Sequence, residues 1–194
     1  FLAHMSHEMH STLNGIMGYA HINRRRKGLD TMFSDSLNII LQSGEHLLTL
    51  INDILDLAKV EARKLELFPT PLHFPIFLNG IAEIISVRAR QKRLRFTHEI
   101  VSSLPDQVEA DETRLRQVLL NLVKNAADAL EDAGKPGRID IRIAHENGVF
   151  RFEVEDDGPG IPAEHRGRVF EDFFTTKPSG RGSGLGLSIC RQIV

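Results

Sequence analysis

Four absences limit what this sequence can be. A single cysteine, Cys190, rules out an internal disulfide bond and fits a reducing compartment. No apolar run approaches the roughly 18 to 20 residues that span a bilayer, and no signal peptide is recognisable. A net charge of -2 lacks the positive excess typical of nucleic-acid-binding domains. We therefore expect a cytoplasmic location, no nucleic-acid partner, and membrane contact only through segments outside this sequence.

The length of 194 residues suffices for one large domain or two small ones. The sequence opens in the middle of a helical pattern, and its last residues, Gln192-Ile193-Val194, carry no helix stop signal. We expect the sequence to be part of a longer protein.

The N-terminal residues predict an amphipathic helix with a histidine off its apolar stripe. The stripe recurs at steps of three and four: Leu2, Met5, Met9, Leu13, Ile16 and Ala20. His7 lies off it, and a neutral imidazole on a helix surface can act as a nucleophile. A solitary surface histidine is more often simply solvated. A metal site of His4, His7 and His10 is a further alternative, but no carboxylate or cysteine cluster completes it.

A second, longer helix begins near Asp30 or Thr31 and carries a coiled-coil repeat. Its apolar seam alternates steps of four and three: Phe33, Leu37, Ile40, Gly44, Leu47, Ile51, Ile54 and Ala58. Such a helical hairpin usually pairs with a second copy, which predicts a homodimeric four-helix bundle. Proline at positions 69 and 71 ends the helical region. We predict a first domain at residues 1–68, a linker at 69–75 and a second domain at 76–194.

The second domain alternates helices and strands. We predict helices over residues 75–91 and 112–131, and strands over residues 94–100, 138–145 and 149–156. Asn147-Gly148 joins the last two strands as a hairpin. The fold class is therefore α+β with two domains, a helical bundle followed by a layered α/β domain.

Two stretches of this domain suggest a metal ion and a bound base. Asn121, Asn125 and Asp128 line up beside the apolar stripe of their helix, and amide oxygens suit Mg²⁺. Asp156 shares a strand face with apolar residues, so we expect it to enter the core and to need a partner such as the amine of adenine. Gly158 would let the backbone approach a flat ring. The alternatives are a polar helix border and a carboxylate that caps a turn.

Two further stretches suggest a phosphate site. Residues 168–177 combine phenylalanines with cations and resemble a lid, which the phenylalanines would anchor and from which Arg168, Lys177 or Arg181 would meet phosphate. The alternative is a buried loop. Glycines at positions 182, 184 and 186 open a helix whose backbone N–H groups can bind phosphate. Their spacing matches neither a P-loop nor the dinucleotide-binding fingerprint.

Taken in order, these residues resemble the catalytic core of a sensor histidine kinase of a two-component system. Ser6-His7-Glu8 resembles the phosphoacceptor box and residues 121–125 the N box. Residues 156–160 resemble the first glycine box, 170–174 the F box and 182–186 the second glycine box. The resemblance covers essentially the whole chain.

The resemblance implies a Bergerat-type ATP site and a dimeric kinase. Asp156 would bind the adenine amine, Asn125 with Asn121 would hold Mg²⁺, and the γ-phosphoryl group would pass to His7 with Glu8 assisting. An aspartate of a response regulator would then accept it. The remaining ATP-binding positions implied are Gly158, Gly160, Ile161, Arg168, Phe173, Phe174, Lys177, Arg181, Gly182, Gly184, Leu185, Gly186 and Leu187.

The sequence departs from the family pattern near the histidine. Thr12 replaces a usual proline that bends the helix, and Ser11 stands where a threonine or asparagine often supports dephosphorylation of the regulator. Asp128 stands where many relatives place a phosphate-contacting lysine. The family's ATP domain also continues with two strands beyond the last helix, which this sequence does not include.

Three alternatives to a kinase remain at this point. They are a non-catalytic dimeric scaffold that binds a response regulator, a phosphatase-dominant family member that uses Ser11, and another ATPase of the same superfamily. The intact boxes argue against the scaffold. The other superfamily ATPases lack the His-Glu hairpin, and clamp-like ones usually carry glutamate at the position of Asn121.

Overall fold

The computed structural model describes residues 2–25, 30–61, 65–134, 137–177 and 182–194, without the side chains of residues 2–8, 46, 57 and 59–61. The chain forms two compact units. The first comprises residues 1–65 with 177–185, and the second comprises residues 66–176 with 186–194. Within the described ranges, no helix is long and apolar enough to cross a membrane.

The first unit is built on a helical hairpin of α1 (Leu2–Arg24) and α2 (Thr31–Glu61). Asp30 caps α2, because its Oδ1 accepts the backbone N–H of Met32 at 2.8 Å. Gly44 lets the helices approach closely, since a Cβ there would lie 2.7 Å from Cγ of Met17. The hairpin core includes Leu13, Ala20, Leu37, Leu41 and Ile51.

The predicted seam of α2 divides into two rows with a seven-residue repeat. Leu37, Gly44 and Ile51 form the row that is buried. Phe33, Ile40, Leu47 and Ile54 form the other row and are exposed. Exposed apolar residues on α1 include Met9, Ile16, Tyr19 and Ile22. The hairpin therefore buries only half of its apolar repeat within one chain.

The second unit has two small sheets and three helices in the part of the chain described. Its elements are β1 (Thr70–His73), α3 (Phe74–Gln91), β2 (Arg95–Ile100), β3 (Gln107–Ala110), α4 (Glu112–Asp132), β4 (Arg138–Glu146), β5 (Val149–Asp156) and α5 (Gly186–Ile193). The main sheet has the order β2-β4-β5, in which β2 runs parallel and β5 antiparallel to β4. Strands β1 and β3 form a separate antiparallel pair.

The sequence predicted five of these elements close to their observed bounds, but it did not predict β1 or β3. Strand β1 lies in the segment 69–75 for which a linker was predicted. The pair has four residues per strand, and Pro71 lies within β1. Such short strands carry too few residues for a clear alternation, and proline argued against a strand.

The core of the second unit lies between one face of the main sheet and helices α3 and α4. Ile139, Ile141 and Ile143 alternate along β4 and are buried, as are Ile85 of α3 and Leu130 of α4. The apolar residues of β5 on the same face are only partly buried. This packing fixes α4 against the sheet, with its polar stripe at the edge of the core.

Candidate functional site

Helix α4 carries the amide stripe and is anchored firmly at its start. Asp111 accepts the backbone N–H of Arg114 at 3.1 Å and that of Phe68 at 3.0 Å. Burial by itself would raise the pKa of the Asp111 carboxyl, but these donors outweigh it and hold the pKa below its usual value. The cap fixes the rotation of α4 and so the direction of its polar side chains.

Asn121 and Asn125 are half-buried, one turn apart on α4. Nδ2 of Asn121 donates to the backbone oxygen of Gly186 at 3.4 Å, so this side chain ties α4 to the first residue of α5. The sequence did not predict this contact. The amide donates through nitrogen, so its oxygen remains an acceptor of the hard kind that Mg²⁺ prefers.

The donor chemistry of this stripe fits Mg²⁺ carried in by a triphosphate. Across the described ranges, no group of three or more His, Cys, Asp or Glu side chains could hold a metal ion. A cation here would have amide oxygens among its few protein ligands. Mg²⁺ commonly binds in this way and takes its other ligands from phosphate and water.

Asp156 ends β5 on the predicted face, opposite Ile139 in the register. The expectation that it enters the core is wrong, because its side chain is exposed. Ile139 on β4 is fully buried, so the core reaches this end of β4, whereas Asp156 on the neighbouring β5 remains exposed. Its Oδ1 accepts the backbone N–H of Gly158 at 3.0 Å. The neighbouring Asp157, which the sequence analysis did not single out, accepts the N–H of Arg138 at 2.6 Å.

The first glycine box needs its glycines for two different reasons. A Cβ at Gly158 would lie 2.6 Å from Oδ1 of Asp156 and 3.4 Å from Cδ2 of Leu130 on α4. Gly160 has a φ of 70°, which favours glycine. Ile161 beyond them is exposed. The box thus packs against α4 at Leu130, nine residues or about 14 Å along the helix from Asn121.

The segment from Pro162 to Phe174 is a run of linked turns. The N–H of His165 donates to the oxygen of Pro162. In the same way, the N–H groups of Arg168, Glu171 and Phe174 each donate to the backbone oxygen three residues earlier. Phe173 is 62% exposed, so the prediction that the phenylalanines anchor this segment is wrong for Phe173 and also for Phe170, which is exposed. Apolar side chains in a turn-rich surface segment have no core to enter.

Phe174 is the half-buried phenylalanine of this segment, and it packs against a cation. The guanidinium of Arg168 lies 4.6 Å from the centre of its ring. Arg168 also pairs with Glu171 at 3.0 Å. A role of Arg168 in phosphate binding would therefore require it to leave these partners. Lys177 is half-buried, and Arg181 lies outside the described residues.

The second glycine box is divided between the two units. Gly186 and Leu187 begin α5 in the second unit, whereas residues 182–185 belong to the first. There the hydroxyl of Ser183 donates to Oδ2 of Asp53 on α2 at 2.8 Å and accepts the N–H of Leu185 at 3.3 Å. Gly184 has a φ of 70°. Asp53 is only 8% exposed, and the sequence analysis did not single it out.

Comparison with known proteins matches both parts of the chain. The family model described as "His Kinase A (phospho-acceptor) domain" covers residues 1–63, and the model described as "Histidine kinase-, DNA gyrase B-, and HSP90-like ATPase" covers residues 110–194. The chain belongs to the sensor histidine kinases.

Individual histidine kinases are similar over almost the whole chain. The aerobic respiration control sensor protein ArcB of Escherichia coli (strain K12) is 36% identical over 203 residues, which cover 100% of this chain and 25% of ArcB. A crystal structure of full-length ShkA in complex with AMPPNP is 36% identical, with a TM-score of 0.76, and is matched over 99% of this chain and 40% of ShkA. The chain thus spans about a quarter of the length of the curated relative ArcB.

A further solved structure shows a relative with its partner. The histidine kinase ThkA in complex with the response regulator protein TrrA is 32% identical, with a TM-score of 0.60. The match covers 99% of this chain and 53% of that chain. The fold predicted from the family resemblance, a helical hairpin followed by an α/β ATPase-type domain, is confirmed.

The predicted phosphoacceptor residues His7 and Glu8 lie on α1. The side chains of His7 and Glu8 lie outside the described residues, as does that of His4 in the alternative metal site. Ser11 is exposed on the same helix, which continues without interruption through Thr12. The assigned roles of these residues remain predictions.

Proposed function

We propose that this chain is the catalytic core of a protein-histidine kinase. It binds ATP with Mg²⁺, transfers the γ-phosphoryl group to His7, and passes that group to an aspartate of a response regulator. The observation that carries the proposal is the arrangement around α4. This helix contacts the first glycine box through Leu130 and the start of α5 through Asn121, about 14 Å apart.

The proposed nucleotide site assigns one task to each part of that arrangement. Asp156 accepts a hydrogen bond from the adenine amine, and its exposure at the rim of the sheet leaves it accessible to a ligand. Asn125 and Asn121 supply amide oxygens to Mg²⁺. The other proposed ATP-binding residues are Gly158, Gly160, Ile161, Arg168, Phe173, Phe174, Lys177, Arg181, Gly182, Gly184, Leu185, Gly186 and Leu187. The AMPPNP complex of the similar ShkA supports ATP as the ligand.

The proposed reaction is an in-line phosphoryl transfer. The lone pair of His7 Nε2 attacks the γ-phosphorus, the bond from that phosphorus to the β,γ-bridging oxygen breaks, and ADP leaves. Glu8 accepts the proton that the imidazole loses from Nδ1. Bound Mg²⁺ supplies neutralisation of phosphate charge. The protein mainly contributes the positioning of the two substrates.

We propose that the partners are a second copy of the hairpin and a response regulator receiver domain. The exposed apolar row of α2 supports dimerisation, because Phe33, Ile40, Leu47 and Ile54 repeat every seven residues. The ThkA complex with TrrA supports the receiver domain. Ser11 is exposed and is our candidate for positioning water during dephosphorylation of that domain.

Autophosphorylation with γ-labelled ATP and Mg²⁺ tests the proposal. We expect the protein to acquire label that is acid-labile and base-stable, as phosphoramidates are. His7→Gln should abolish labelling, whereas His21→Gln on the same helix should leave it unchanged. A folded sample that binds nucleotide but acquires no label would contradict the kinase proposal and favour a non-catalytic scaffold.

A further inference from the structure

The third polar residue of the α4 stripe is paired with a lysine from α3. Nζ of Lys92 lies 2.9 Å from Oδ1 of Asp128 and 2.7 Å from Oε2 of Glu131. The Asp128 side chain is 17% exposed and that of Glu131 is 57% exposed. The pair with Glu131 is therefore screened by water, whereas the pair with Asp128 is screened much less.

Asp128 lies on the same face of α4 as the two asparagines. Seven residues complete almost two turns of an α-helix, so the side chains of Asn121 and Asp128 point in directions that differ by only about 20°. Asn125 lies between them. A magnesium and triphosphate site at the asparagines would have this carboxylate as its neighbour.

The position of Lys92 is fixed by the way α3 ends. Lys92 is the C-cap, Arg93 follows with a φ of 57°, and the N–H of Leu94 donates to the oxygen of Ala89 at 2.8 Å. The N–H of Arg93 also donates to the oxygen of Arg90, and the two hydrogen bonds together form a Schellman motif. Its last residue, Leu94, is buried. A non-glycine residue in the left-handed conformation is held there by the surrounding structure.

The electrostatics keep the lysine charged. Burial would lower the pKa of Lys92, but the hydrogen bonds and charges of Glu131 and Asp128 outweigh it and raise the pKa above its usual value. Lys92 is thus a permanent cation beside Asp128 at physiological pH.

We propose that Lys92 is a positioning residue of the nucleotide site, which neutralises and orients Asp128 so that its carboxylate does not repel the bound triphosphate. This inference rests on the proposed kinase function. Lys92, the C-cap of α3, brings a positive charge to within 2.9 Å of the Asp128 carboxylate. Loss of Lys92 would remove a neutralising charge from a largely buried carboxylate on the helix of the proposed magnesium site.

The test compares nucleotide affinity in single and double variants. Lys92→Met should weaken binding of AMPPNP with Mg²⁺ and raise the KM for ATP about fivefold, with kcat within about twofold, as expected for the loss of one positive charge near a phosphate. Asp128→Asn alone should strengthen binding by a similar factor, because it leaves the positive charge of Lys92 beside the phosphates without its carboxylate. The double variant Lys92→Met/Asp128→Asn should return to wild-type affinity, because the repelling charge is gone.

Two further variants separate electrostatics from packing. Lys92→Arg should retain affinity, since it keeps the cation. Arg88→Met removes a cation from α3 one turn earlier, where the arginine has no ion pair with any residue described, and should bind as wild type does. Thermal unfolding checks that each variant is folded.

The possible results distinguish the inference from the proposed function. A double variant as weak as Lys92→Met would show that the lysine only ties α3 to α4, and unchanged affinity in Lys92→Met would equally overturn the inference. In both cases the wild type still binds nucleotide, so the kinase proposal stands. A folded wild type that binds no nucleotide would overturn both.

Discussion

Replacing Gly158 by alanine should separate nucleotide binding from folding. The added Cβ would lie 2.6 Å from Oδ1 of Asp156, a separation that has to grow to at least 3.0 Å. Gly158 has no positive φ, so alanine adds no backbone strain. The exposed carboxylate of Asp156 is the group that can move. Its displacement breaks or lengthens the 3.0 Å hydrogen bond from the N–H of Gly158.

The two consequences differ in size. Loss of one exposed hydrogen bond should lower the free energy of unfolding by about 1 kcal/mol or less. Loss of the hydrogen bond between a displaced carboxylate and the adenine amine should cost about 1.5 to 3 kcal/mol of binding, which corresponds to a roughly 10-fold to 150-fold increase in Kd. Titration with a fluorescent ATP analogue and denaturant unfolding measure the two quantities.

Gly167→Ala is the matched control for this experiment. Gly167 lies in the following turn segment, and a Cβ there meets nothing within 4 Å. We expect both its stability and its nucleotide affinity to match the wild type. If Gly158→Ala binds nucleotide as tightly as Gly167→Ala does, then Asp156 does not hold adenine in the proposed way.

Two further predictions concern Asp111 at the start of α4 and Cys190 on α5. Asp111→Ala should lower the free energy of unfolding by about 1 kcal/mol at pH 7. The folded-state pKa of Asp111 is depressed, so this contribution is present above its unfolded pKa near 4 and is lost as pH falls through the folded value. Denaturant titrations should show a smaller difference in the free energy of unfolding between wild type and Asp111→Ala at pH 3 than at pH 7. Asp111→Asn is the control, because it keeps most of the cap. An equal difference at both pH values would contradict this account. Burial raises the pKa of Cys190 to about 11, against an opposing hydrogen bond from Asn121, so a thiol reagent at pH 8 should label it only as α5 opens. Labelling as fast as that of a short cysteine peptide would refute this.

Local sequence patterns were sufficient to predict the helices, the strands of the main sheet and the family. The hairpin at Asn147-Gly148 forms with φ values of 53° and 79°, which these two residue types tolerate. The periodicity of α2 predicted a seam that the structure divides into a buried and an exposed row. In both cases the decisive interactions lie within a few residues along the chain or repeat along one element.

Several features of the site were decided by tertiary structure. Asp156 is exposed although Ile139 opposite it is fully buried, and alternation along a strand says nothing about which residues neighbouring elements cover. Strands β1 and β3 depend on each other, since neither has enough residues to show its own pattern.

The amino-acid sequence by itself determined the helices, the strands of the main sheet and the order of the family motifs, because these depend on short-range periodicity and residue type. Only the tertiary structure decided which side chains meet. Lys92 and Asp128 are 36 positions apart, Asn121 and Gly186 are 65 apart, and Asp53 and Ser183 are 130 apart. Such contacts depend on the packing of whole helices and turns, and no local pattern encodes which polar residue will face which.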